Sequence, residues 1–287
     1  MLPEPVAAAV DRFLARLDRA VPGAVAGFYV VGSVALGGFR AGRSDIDFVA
    51  TLDRSLTSAD LGALRSVHRW SWAGSVIKGF ACPPHSWPLA CNGLFLRTAD
   101  LASPPAAVTP VAAQVAGRFA SGPRQGFDRN PVTWWTLAHK GIAVRGLPPG
   151  QLDIHLDDAE LRAWTAANLA SYWRPWAAAV AGGGAGALRV RLTHLHARRL
   201  AAWGVLGTAR MHATIRSGTV ISKEQAGEYA LDVFDPGWHL VIRDALAYWR
   251  GLPALPGRTS RVLRAETAAF VSHVIDVAGS AAAPDRS

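Results

Sequence analysis

Apolar residues recur at Val6, Val10, Phe13, Leu14 and Leu17, the spacing of one face of a helix, and Pro22-Gly23 closes that segment. This predicts a helix over residues 5–20. The period then changes. Phe28-Tyr29-Val30-Val31 is a continuous apolar run of strand length. Val34-Ala35-Leu36 after Ser33 predicts a short helix stopped by Gly37-Gly38, and 45–52 predicts a second strand. Residues 57–68 return to helical spacing, with Thr57 or Ser58 as the N-cap. The stretch 70–91, rich in Trp, Pro and Gly, predicts irregular chain, and 93–97 predicts a further strand. Strands alternating with helices predict a small α/β domain over residues 1–150.

Past Gly146-Leu147-Pro148-Pro149-Gly150 the pattern is helical throughout: 158–180, 188–216, 222–234, 236–250 and 261–278, with glycines at 182–184 and 218 between some of them. This predicts an all-α bundle over 151–287.

Composition adds bounds rather than detail. With 287 residues, 50% hydrophobic and 18% charged, the chain is globular in character. A net charge of +9 favours anionic partners, but the arginines are scattered, with no block of like charge. The two cysteines, Cys82 and Cys91, form neither a disulfide framework nor a zinc pattern, which fits a reducing cytoplasm. The start lacks the basic and apolar regions of a secretory signal, and no apolar run approaches the ~20 residues of a membrane helix.

The chemistry concentrates in residues 32–47. Gly32-Ser33 follows the first apolar strand; after eleven intervening residues Asp45-Ile46-Asp47 opens the second. Alternation puts Asp45 and Asp47 on one face, with Ile46 and Phe48 on the other. Two carboxylates side by side repel unless a cation joins them, and Mg²⁺ suits one or two carboxylates plus substrate phosphates. Gly32 lets the backbone approach closely, and the N–H groups of a short helix starting at Ser33 favour a phosphate. Farther on, Ser222 and Gln225 have capping-box spacing, so Lys223 falls in a first helical turn, where a cation opposes the macrodipole. An anion there would relieve the conflict.

The joint pattern Gly32-Ser33…Asp45-x-Asp47 resembles the nucleotidyltransferase superfamily, and within it the aminoglycoside adenylyltransferases that modify streptomycin and spectinomycin. The resemblance implies a mixed-sheet α/β nucleotidyltransferase domain followed by a helical domain. It further implies that Asp45 and Asp47 bind Mg²⁺, and that Ser33 and Ser44 contact ATP, the substrate. Arg210, thirteen residues before Lys223, matches the family's pair of phosphate-binding cations, and the segment 247–251 makes Tyr248 a nucleotide contact. The implied activity is transfer of AMP to a hydroxyl of a small molecule such as an antibiotic, by a monomeric cytoplasmic enzyme.

Two departures qualify this. The family's third carboxylate, metal ligand and general base, falls at Asn92, and an amide cannot accept a proton at neutral pH. Asp100, Asp128, His85 and His139 are the alternative bases. The family's acidic acceptor-binding stretch is replaced by the basic and apolar 192–203, while Trp173, Trp176 and Trp203 either line a site for a flatter, less charged acceptor or pack between helices. Two other functions therefore stay open: a nucleotide- or ligand-binding member with weak turnover, and, on net charge, a nucleic-acid nucleotidyltransferase.

Overall fold

The computed structural model describes residues 2–81, 89–115, 117–122, 128–182 and 194–281. They form two compact units, Met1–Asp157 and Asp158–Ser287. No described helix is long and apolar enough to cross a membrane.

The first unit is a mixed six-stranded sheet in the order β5-β4-β3-β2-β1-β6. Its strands are β1 (Val25–Val31), β2 (Ile46–Leu52), β3 (Cys91–Arg97), β4 (Ala112–Val115), β5 (Arg118–Ala120) and β6 (Ile142–Arg145). Among the described strands only β2 and β3 run parallel; the other neighbours are antiparallel. Helices α1 (Glu4–Ala20) and α3 (Ser58–Ala81) pack with Phe28, Val30, Ile46, Phe48, Ala50 and Phe95. The rings of Phe28 and Phe48 stack with centroids 4.8 Å apart. The alternate residues Tyr29, Val31, Val49, Leu94 and Leu96 pack with Trp134 and Leu137 of α4 (Pro131–Lys140). The period-two pattern thus sorts the sheet into two apolar faces.

α3 continues to Ala81, beyond the helix over 57–68 that the pattern predicts and into the stretch 70–91 predicted to be irregular. Two glycines, Gly74 and Gly79, are not enough to stop this helix, and residues 58–82 hold no proline. Residues 82–88 lie outside the described residues.

The second unit contains α5 (Asp158–Asn168), a π-helical turn (Leu169–Trp173), α6 (Arg174–Gly182), α7 (His194–Ser217), α8 (Lys223–Val233), α9 (His239–Arg250) and α10 (Ser260–Ala281). α7 is central: Ala197, Ala201, Ala202, Val205, Leu206 and Ala209 pack in one core with Ala226 and Ala230 of α8, Ile242 and Trp249 of α9, and Phe270 of α10. A buried ion cluster fixes the α9–α10 connection. Arg258 Nε donates to Asp244 Oδ2 at 2.6 Å, and its two terminal nitrogens engage the carboxylate of Glu266.

Candidate functional site

In the first unit the site begins where β1 ends. Gly32 has φ +60°, and a Cβ there would lie 1.9 Å from Asp47 Oδ2. Only glycine lets this turn sit directly against the carboxylate. The helix that follows, α2 (Gly32–Ala35), is a single turn. Leu36 N donates to Gly32 O at 3.0 Å and Gly38 N to Ser33 O at 2.8 Å, which holds Ser33 beside the turn. One turn carries little macrodipole; its contribution is a set of fixed N–H directions. Ser44 is buried, and its Oγ accepts the Arg40 N–H at 3.1 Å, closing the loop that feeds β2.

Asp45 directly precedes β2 and Asp47 is its second residue. Ile46 and Phe48 are buried while both aspartates are partly exposed, as alternation requires. Register places Asp47 between Val31 of β1 and Asn92 of β3. Asn92 is buried, and its Nδ2 donates to Asp45 Oδ2 at 2.8 Å. The amide therefore offers a neutral donor where a third carboxylate would add charge. It is a carboxylate partner and not a proton acceptor. Gly93, next in β3, meets the Phe48 carbonyl so closely that a Cβ would lie 1.9 Å from it. The Cys91 thiol is pushed up to about 12 by burial, with the charge of Asp47 adding to the shift and Arg12 opposing it.

A further carboxylate, Asp128, is near enough to Asp45 to feel its charge. Asp128 lies in the turn before α4, whose N-cap Asn130 accepts the Thr133 N–H at 3.0 Å. α4 packs on the face of the sheet that carries Val49 and Leu94, the parity of Asp47 and Asn92. The Asp128 carboxyl is pushed up to about 6, first by burial and then by the charge of Asp45. Of the alternative bases, this is the one whose charge is felt in the Asp45 field. Asp100 accepts the Arg97 N–H at 2.9 Å in the 3₁₀ turn after β3. His139 stacks on Trp135 at 4.4 Å and bonds its carbonyl. His85 lies outside the described residues.

Asp45 and Asp47 fit Mg²⁺: hard oxygen donors on one face, partly exposed, against a backbone turn that a Cβ would fill. Among the described residues no group of three or more His, Cys, Asp or Glu is placed to hold a metal ion.

The helical unit gathers its own set. The predicted capping box is present: Gln225 N donates to Ser222 Oγ at 3.3 Å and Ser222 N to Gln225 Oε1 at 3.0 Å. Lys223 is therefore the first residue of α8, and its Nζ lies 4.7 Å from the ring centroid of Trp203 and 4.6 Å from that of Trp249. Arg210 is on α7 and Tyr248 on α9, the helices that flank α8 in the core. The guanidinium of Arg198 lies 5.6 Å from the Tyr248 ring and bonds the carbonyls of Leu252 and Pro253. Trp173 is buried and Trp203 is exposed, their centroids 5.9 Å apart. Trp203 is a candidate from the sequence; Trp249 is not, because its contact with Lys223 depends on how α9 packs.

Comparison with known proteins agrees with both units. A family profile described as nucleotidyltransferase domain matches residues 10–72, and one described as aminoglycoside adenylyltransferase, C-terminal domain, matches residues 192–276. A search among curated proteins finds no match. Among solved structures, the fold is similar to spectinomycin adenyltransferase AAD(9) from Enterococcus faecialis, a structure with ATP and spectinomycin. The two share 12% identity at a TM-score of 0.63, over 94% of this chain and 99% of that one.

Proposed function

Since the chain is an aminoglycoside adenylyltransferase-like nucleotidyltransferase, we propose that it transfers AMP from ATP, with Mg²⁺, to a hydroxyl of a small molecule, an aminocyclitol-type antibiotic being the first to try. The observation that carries this reading is the Asp45/Asp47 pair set against the Gly32-Ser33 turn. Mg²⁺, when bound, would neutralise phosphate charge and favour in-line geometry. Asp45 and Asp47 are the residues that would hold it.

The remaining roles follow from residue chemistry. The Gly32-Ser33 backbone and the Ser33 hydroxyl orient the triphosphate, and Ser44 keeps the loop before Asp45 closed. Arg210 and Lys223 supply cations for phosphate and Tyr248 a nucleotide contact. The acceptor oxygen bonds to the α-phosphorus, the bond from that phosphorus to pyrophosphate breaks, and the hydroxyl proton passes to Asp128. Asn92 holds Asp45 in place by its amide. Most of the rate enhancement then comes from positioning and charge complementarity.

Support for a less cationic acceptor comes from the absence of acidic residues in 194–203, which holds His194, His196, Arg198 and Arg199. Asn92 favours a second reading, nucleotide binding with weak turnover. Pyrophosphate release from Mg²⁺-ATP with streptomycin and spectinomycin as acceptors, compared with Asp128→Asn and Asn92→Asp, separates the two. Transfer requires release that falls at least a hundredfold in Asp128→Asn. Binding alone predicts no release in the wild type and a gain in Asn92→Asp.

A further inference from the structure

Lysine at the start of a helix is electrostatically misplaced, yet Lys223 is held there on two sides. Its ammonium lies between the indoles of Trp203 on α7 and Trp249 on α9, at 4.7 and 4.6 Å from their centroids. The two walls differ. Trp249 is 4% exposed and anchored in the core, whereas Trp203 is 45% exposed and is backed by Trp173 of the π-helical turn. The neighbouring acid on the same helical turn, Glu224, accepts a bond from Arg250 at 3.0 Å.

Each indole face presents negative quadrupole to the cation, which offsets the opposing macrodipole. Holding the head group from both sides also removes rotamer freedom from a four-carbon stem before any ligand arrives. The indole attraction acts on the charge of the ammonium and adds to whatever hydrogen bonds that ammonium makes. The loss of side-chain entropy on binding is then already met, which is preorganisation.

We infer that Trp203 and Trp249 are positioning residues, a two-walled aromatic clamp that presents Lys223 to the triphosphate. The inference rests on the reading of Lys223 as a phosphate contact. The exposed wall, Trp203, can be changed with little effect on the core; Trp249 is the structural wall.

The chain has three lysines, Lys78, Lys140 and Lys223, so side-chain lysine signals are few enough to follow by NMR and to assign with Lys223→Ala. The clamp predicts Lys223 ε-methylene resonances displaced upfield of the other two by the indole ring currents, and a return downfield in Trp203→Leu. In steady-state turnover Trp203→Leu raises the KM for Mg²⁺-ATP about three- to tenfold with kcat little changed, and Trp203→Phe restores most of the loss. The effect vanishes on a Lys223→Ala background, while thermal unfolding shows each variant folded. Absence of the upfield signal means no clamp and overturns the inference. An equal KM rise from Trp203→Leu with and without Lys223 also overturns it, since the tryptophan then acts independently of the lysine. If Lys223→Ala itself leaves ATP affinity unchanged while the upfield signal is present, the phosphate role of Lys223 fails, and the inference falls with that reading rather than with the clamp geometry.

Discussion

Asp128→Asn tests the electrostatics of the carboxylate site most sharply, because it predicts a more stable and less active protein. In the folded state burial and the Asp45 charge raise the Asp128 carboxyl from 3.8 to about 6, roughly two pK units, and each unit is worth about 1.4 kcal/mol. Between those two values the folded chain holds a proton that the unfolded chain has released, so stability falls as pH rises through this window. Above pH 6 the full cost of ionised Asp128 is present, at most about 3 kcal/mol. Asparagine is nearly isosteric and never ionises, so the variant escapes that cost. Urea unfolding in EDTA, without nucleotide, is expected to show Asp128→Asn more stable than the wild type at about pH 7.5 by up to about 3 kcal/mol, with the gain shrinking to near zero by pH 4. Saturating Mg²⁺ narrows the gap at the higher pH, because a cation on Asp45 relieves the repulsion. A gain of equal size at both pH values, or a loss at the higher one, would refute the reasoning.

Three further outcomes follow from the same geometry. Asn92→Asp replaces a 2.8 Å amide donor to Asp45 with a buried carboxylate, so the cation-free protein should lose about 1–3 kcal/mol, and Mg²⁺ should raise the Tm of the variant more than that of the wild type in a thermal-shift titration. Gly32→Ala drives a Cβ into Asp47 at a positive φ, so calorimetry should find Mg²⁺-ATP binding lost while circular dichroism still reports the fold. Cys91, buried and with its thiol pushed up to about 12, should resist iodoacetamide at about pH 8 in the native protein and react on unfolding, as read by mass spectrometry of its peptide.

Much of the candidate site's backbone geometry was legible because it is local. The Gly32-Ser33 turn, the alternation of Asp45, Ile46, Asp47 and Phe48, and the Ser222–Gln225 capping box each need only a few neighbouring residues. The long helices of the second unit were legible from their period, which spans many turns. What the sequence hid depends on packing between distant segments. β4, β5 and β6 have three or four residues each, too few to show alternation. Asp128 is one acid among 21 in the sequence, and nothing beside it announces that α4 will bring its turn toward Asp45. The grip on Lys223 joins three helices and involves Trp249, which reads from sequence as an ordinary core aromatic. α3 runs past its expected end because the Trp, Pro and Gly of residues 70–91 suggest loop, whereas the first proline of that stretch is Pro83 and the glycines before it, Gly74 and Gly79, do not stop a helix.

The central claim is that Asp45 and Asp47 make a metal-dependent site for a nucleoside triphosphate. Isothermal titration of the wild-type protein and of Asp45→Ala/Asp47→Ala with ATP, each with Mg²⁺ and with EDTA, tests it directly. Saturable ATP binding that needs both Mg²⁺ and the two carboxylates is expected, with the double variant still folded. Binding of equal strength in the double variant, or none in the wild type with Mg²⁺ present, would contradict it.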